Sequence, residues 1–204
     1  MLFRSQEIQG KPGYTAEGAV AASSTAVYSS GDTSRAVSTF GATMLHRMML
    51  LGDAGFAVGF GSVSGGKGAS TVLWGQDPVV GEGKPPLVVP APGQRRVPLR
   101  GGVELPAPDD PPGWYEQPRG FPVSASLPAT GMGKVEIQVT LGDGGAPLPG
   151  RLWIPEKPVT SGHGGMTAFF MPEFPLEQKQ RYTVRLSGEA GGRPVVWTWS
   201  FRTD

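Results

Sequence analysis

Apolar and polar positions follow two different rhythms along this chain, and the change of rhythm divides it. Ala36, Val37, Phe40, Met44, Met48 and Leu51 recur at three- and four-residue spacing, the pattern of a helix burying one stripe. Asp32 or Thr33 can cap its start, and Gly52 stands where a left-handed residue is wanted at its end. The spacing therefore predicts a single helix ending near Leu51. Phe56, Val58 and Phe60 then alternate with Ala57, Gly59 and Gly61, which predicts a strand whose second face accepts only close backbone contact. Gly65, Gly66 and Gly68 supply a loop, and Ser70–Trp74 returns as a second strand. Upstream, Gly10–Tyr14 is a turn by its Gly/Pro chemistry. The Ala/Ser stretch of residues 19–30 is compatible with a short helix or a strand.

From residue 76 to 112 proline and glycine punctuate the chain too closely for any helix. Leu87–Val89 is the one short strand there, and residues 81–112 are expected to form a linker between two domains, 6–80 and 113–204. Beyond it the period is two. Val123, Ala125 and Leu127 alternate, and Val135, Ile137, Val139 and Leu141 point one way with Glu136, Gln138 and Thr140 opposite. Asp143-Gly144-Gly145 is a turn, Arg151–Ile154 and Thr167–Met171 are strands, and Tyr182, Val184 and Leu186 share a face. Val195, Trp197, Trp199 and Phe201 share another, which places both tryptophans in a core rather than on a sugar-binding platform. About six or seven such strands, with turns every eight to twelve residues, suggest an immunoglobulin-like sandwich. The fold class expected is α+β.

Composition narrows the function classes. The chain has 204 residues and a formal net charge of +1, which gives no electrostatic footprint for nucleic acid or an anionic membrane. Arg95-Arg96 is too short to change that and reads as a solvated turn. Cysteine is absent, so disulfides and thiolate metal sites are excluded. No apolar run reaches the roughly 18 residues of a membrane span, and residues 1–5 do not resemble a signal peptide. Gly (32) and Pro (21) are abundant, but strand-like alternation persists between them, which indicates turn-rich β structure rather than disorder.

Candidate chemistry is sparse. His46 and Arg47 sit beside the apolar stripe near the expected helix end, where both cations would complement the negative end of the dipole. The sharper reading makes His46 an acid–base or metal-ligand histidine, although one histidine does not complete a metal site. Glu17 reads as an exposed carboxylate. His163, in Ser161-Gly162-His163-Gly164-Gly165, reads as a loop-tip residue.

Taken in order, these segments resemble bacterial proteins of the CAP superfamily (cysteine-rich secretory proteins, antigen 5, pathogenesis-related proteins) that carry a C-terminal Ig-like domain. The resemblance rests on Gly13–Ala19 (GYTAEGA), the helix carrying His46-Arg47, the glycine-flanked strand Val58–Gly61, and the junction Val89-Pro90-Ala91-Pro92-Gly93-Gln94 with Val97-Pro98. It also rests on the closing strands Pro175-Leu176, Arg181–Val184 and Trp199–Thr203. It implies a partial, N-terminally truncated CAP-like α-β-α sandwich followed by an Ig-like sandwich. By position His46 matches the family's helix-end histidine and Glu17 its first acidic residue, so these two are the candidate metal ligands. The family's second acidic residue has no match, since Phe40, Gly41 and Met44 stand there. No catalytic residue and no resident cofactor are expected, a divalent metal belonging to the complete family cleft. The implied function is a secreted or cell-surface, non-catalytic protein whose Ig-like module meets a protein, glycan or lipid ligand. The alternatives are a metal-assisted or acid–base hydrolase using His46 and Glu17, and a β-rich adhesin or envelope module.

Overall fold

The computed structural model describes residues 9–12, 14–23, 25–28, 33–51, 58–63, 69–74, 86–102, 117, 119–126, 132–154 and 167–204. Its elements are α1 (Ala16–Ser23), β1 (Thr25–Tyr28), α2 (Thr33–Gly41), α3 (Met44–Leu51), β2 (Val58–Val63) and β3 (Ala69–Trp74). They are followed by β4 (Leu87–Val89), β5 (Val123–Ser126), β6 (Met132–Leu141), β7 (Gly150–Trp153), β8 (Thr167–Pro172), β9 (Arg181–Ala190) and β10 (Arg193–Arg202). Mixed helix and antiparallel sheet, with more strand than helix, makes this an α+β chain with a β-sandwich part.

The ambiguous Ala/Ser stretch is both helix and strand in succession. Thr15 caps α1, its hydroxyl accepting the Gly18 N–H at 2.8 Å. The strand that follows, β1, pairs with β3, and β3 pairs with β2, all antiparallel. Against this three-stranded sheet lie α2, in contact with β2 and β3, and α3, in contact with β3.

The single helix expected from Ala36 to Leu51 is broken in two between Gly41 and Met44. The stripe survives the break: Ala36, Phe40 and Met44 are buried and Met48 half-buried, while Val37 turns outward. Gly41 carries the helix's weakest internal preference, and the Thr43 hydroxyl offers the backbone an alternative by donating to the Phe40 carbonyl at 3.1 Å. Asp32 and Gly52 as helix ends, Phe56, the Gly65–Gly68 loop, Leu127 and His163 lie outside the described residues.

The β-sandwich is made of two antiparallel sheets, ordered β4-β5-β8-β7 and β10-β9-β6. Val88, Val123, Ala125, Ala168 and Phe170 from the first meet Ile137, Val139, Tyr182, Val184, Leu186, Trp199 and Phe201 from the second. The described part of the expected linker, residues 86–102, belongs to this sandwich. β4 pairs with β5 from Leu87↔Ser126 to Val89↔Ser124. Beyond the cis Val89–Pro90 peptide the chain crosses to the other sheet. There it runs beside β10: Gly93 N–H donates to Ser200 O at 2.7 Å, Arg202 N–H to Gln94 O at 2.8 Å, and Val97 N–H to Arg202 O at 3.1 Å. Trp199 fastens the crossing by donating Nε1–H to the Pro90 carbonyl at 2.8 Å. Prolines that read as an extended, semi-rigid linker are thus strand ends, where a missing N–H costs no ladder bond.

β8 is buried along its whole length. Ala168 and Phe170 face the sandwich interior, whereas Phe169 and Met171 pack with Met44, Met48 and Trp153 on the opposite side. The α3 layer therefore covers the outer face of the sandwich, and the two halves of the chain share a second, smaller core.

Candidate functional site

Two of the residues singled out by sequence, His46 and Arg47, lie beside the break between α2 and α3. A helix end leaves its last carbonyls unbonded, and here one near group and one distant in sequence supply donors. Arg47 donates Nε–H to the Gly41 carbonyl at 2.6 Å, and Gly102 N–H reaches the Ala42 carbonyl at 2.8 Å. The same guanidinium donates Nη1–H to the Pro122 carbonyl at 2.5 Å and to Ser124 Oγ at 3.1 Å. Its carbon sits 4.8 Å from the Phe121 ring centroid, within the range of a cation–π contact.

Arg47 is only 1% exposed. Burial of a guanidinium is costly unless hydrogen bonds and stacking offset it. Here the Gly41 and Pro122 carbonyls and Ser124 Oγ take up Nε and Nη1, and the Phe121 face lies against the guanidinium carbon. The expectation that Arg47 complements the C-terminus of its own helix is corrected by the break. Arg47 lies in the first half of α3 and serves the C-terminus of α2 instead. Close approach at this seam requires Gly102, because a Cβ there would stand 2.6 Å from Thr43 Cγ2.

His46 is half-buried, its ring stacked on Phe40 with centroids 5.1 Å apart and planes 16° from parallel. Nδ1 lies 3.0 Å from Thr43 Oγ1. A threonine hydroxyl has one proton. Given to the Phe40 carbonyl, it leaves Nδ1 to donate to Oγ1, and neutral His46 then carries its lone pair on Nε2. Thr43 precedes the first residue of α3 and His46 is its third, so the two side chains meet across the first turn of that helix.

Glu17 is exposed in the first turn of α1. Among the described residues no group of three or more His, Asp or Glu side chains converges in a way that could hold a metal ion. Arg95 and Arg96 are exposed, and Arg96 reaches Asp204 at 3.5 Å in a solvated pair of little energetic weight. The two tryptophans of β10 separate: Trp199 is 4% exposed, whereas Trp197 is 36% exposed. They share a face, as alternation requires, but Trp197 lies further from the crossing at Pro90, and both belonging to the core is corrected accordingly.

Thr43 and Ser124 were not singled out by the sequence, although both are buried parts of this seam. A signal was present in Thr167–Met171, whose unbroken apolar run is the mark of a strand covered on both faces. Comparison with protein-family models, with curated proteins and with solved structures found no match to this chain.

Proposed function

We propose that the protein is a non-catalytic, secreted or surface-associated CAP-like protein whose Ig-like sandwich is an interaction module. The observation that carries the reading is the strand layout. Four strands ordered first-second-fifth-fourth (β4-β5-β8-β7) face three ordered seventh-sixth-third (β10-β9-β6), the arrangement of a constant-type Ig sandwich. Tyr182, at the start of β9, accepts the Glu177 N–H on its hydroxyl at 2.7 Å, which is the bond of a tyrosine corner. The CAP-like part is supported by helices against a three-stranded antiparallel sheet, with His46 on α3 and Glu17 on α1. Antibody against the chain, applied to fractions of the source cells, should find it in the medium or on intact cells. Recovery with the cytoplasm alone ends the reading.

The lone pair assigned to His46 Nε2 favours a second reading, a metal-assisted or acid–base hydrolase using His46 and Glu17. Zinc or calcium titrated into the chain separates the two. The non-catalytic reading expects no site tighter than roughly millimolar. Micromolar binding that disappears in His46→Ala would favour the hydrolase.

A further inference from the structure

We infer that the outer edge of β10 at Val196–Thr198 binds an extended peptide strand of a partner protein, with an apolar peptide side chain laid on Trp197. The inference begins with the β9–β10 hairpin. Ala190 and Arg193 flank the two-residue turn Gly191-Gly192, whose φ angles of 55° and 75° fit a type I′ turn. In such a hairpin the flanking pair is hydrogen-bonded, and bonded and non-bonded pairs then alternate. Arg193, Val195, Trp197 and Trp199 therefore spend their N–H and C=O groups on β9. Pro194, Val196, Thr198, Ser200 and Arg202 direct theirs outward.

The crossing segment confirms that parity independently, since it takes up the outward groups of Ser200 and Arg202. It leaves those of Val196 and Thr198 unused by any described residue. Pro194 occupies the one type of position where the absence of an N–H costs the hairpin nothing. Native sheets commonly blunt such an edge with charge, yet no charged residue occurs from Pro194 to Phe201. Val196 is 60% exposed and Trp197 36%.

An extended peptide is the occupant because residues 93–97 already pair with this edge, and a peptide would continue the same row. Main-chain bonds to Val196 and Thr198 supply affinity, and the residue beside Trp197 supplies selectivity. A second copy of the chain fits less well. Antiparallel pairing about Trp197 would drive Pro194 of one copy toward Ser200 of the other, where Gly93 already sits. The inference gives the proposed interaction module its partner chemistry and so rests on that reading. Cytoplasmic recovery would remove the surface role without touching the strand pairing.

The test is amide NMR of the full chain with a short blocked peptide of alternating valine and threonine. The Val196 and Thr198 amides should shift on titration, and Trp197 fluorescence should change with them. Val196→Pro deletes an outward donor and no hairpin bond, and should weaken binding by about tenfold or more with an unchanged unfolding midpoint. Should that variant fold poorly, the same peptide N-methylated at alternate residues should lose binding to the unaltered chain. Equal binding by Val196→Pro and by the methylated peptide would overturn the inference. So would unmoved amides at millimolar peptide, or self-association of the chain through these same amides that peptide does not displace.

Discussion

The Nη1 of Arg47 stands 2.5 Å from the carbonyl oxygen of Pro122, 75 residues further along the chain. Through this one side chain the end of α2 and the outer face of the sandwich are held to the same cation. Removing it leaves the Gly41 and Pro122 carbonyls without their charged donor in a buried seam. Arg47→Ala should therefore lower stability by about 3 kcal/mol or more, since hydrogen bonds to charged groups are worth about 1.5–3 each and are not additive. Arg47→Lys should recover less than half of the loss, because an ammonium cannot present the same planar fork. Urea denaturation followed by tryptophan fluorescence measures both. A loss below about 1 kcal/mol for Arg47→Ala would separate the helix layer from the sandwich energetically.

Thr43 and Gly102 meet at the same seam and fail in opposite ways. Thr43→Val keeps the volume but deletes the hydroxyl bonded to Phe40 O and lying against His46 Nδ1. It should cost about 1–2 kcal/mol, as removing one partner of a buried hydrogen bond does. Gly102→Ala instead adds a methyl 2.6 Å from Thr43 Cγ2, an overpacking that typically costs about 1–3 kcal/mol. The double variant Thr43→Ser with Gly102→Ala removes that methyl's neighbour and should restore part of the loss. Strict additivity in a double-mutant cycle would mean the two side chains do not meet.

The two tryptophans of β10 should differ in what they contribute to stability. Trp199 packs in the sandwich core and donates Nε1–H to Pro90, so Trp199→Ala should cost about 3–5 kcal/mol. Trp199→Phe keeps most of the apolar volume and should cost less, mainly the hydrogen bond at about 1 kcal/mol. Trp197→Ala, at a half-open position, should cost clearly less than Trp199→Ala. Equal losses for the two alanine variants would show that the sandwich closes over Trp197.

What the chain reveals before folding differs sharply between its two rhythms. Period-two alternation identifies the buried faces of β9 and of most of β6, because a strand's face depends on its own residues. It does not say how far the opposing sheet extends, which is why Trp197 and Leu141, both 36% exposed, read as core. The helix break was illegible for another reason. Gly41 is tolerated inside a helix at a cost of roughly 1 kcal/mol, and the bonds that favour the break come from Gly102 and from an arginine anchored at Pro122. Residues 86–102 illustrate the same limit: proline spacing excludes helix but cannot distinguish a tether from edge strands. His46 and Glu17 stood out singly in the sequence and were joined as candidate ligands only through resemblance, and the contact that His46 makes with Thr43 depends on where α3 begins.

Tyr182 gives the sandwich an alkaline limit. Its phenol titrates above the ordinary value of 10.0, chiefly because burial penalises the phenolate. The Glu177 N–H bond opposes that shift and the Glu177 charge adds to it. Below about pH 10 the phenol is neutral in both folded and unfolded chains, so it contributes no pH dependence. Above that pH the unfolded chain releases the proton more readily than the folded one, and stability falls as pH rises toward the folded pKa. Tyr182→Phe should cost about 1 kcal/mol at neutral pH for the lost bond to Glu177. It should also flatten the alkaline decline relative to the unaltered chain. Denaturant midpoints collected from pH 7 to 11 measure both effects. Parallel curves for the two proteins above pH 10 would mean that the Tyr182 hydroxyl ionises as freely when folded as when unfolded.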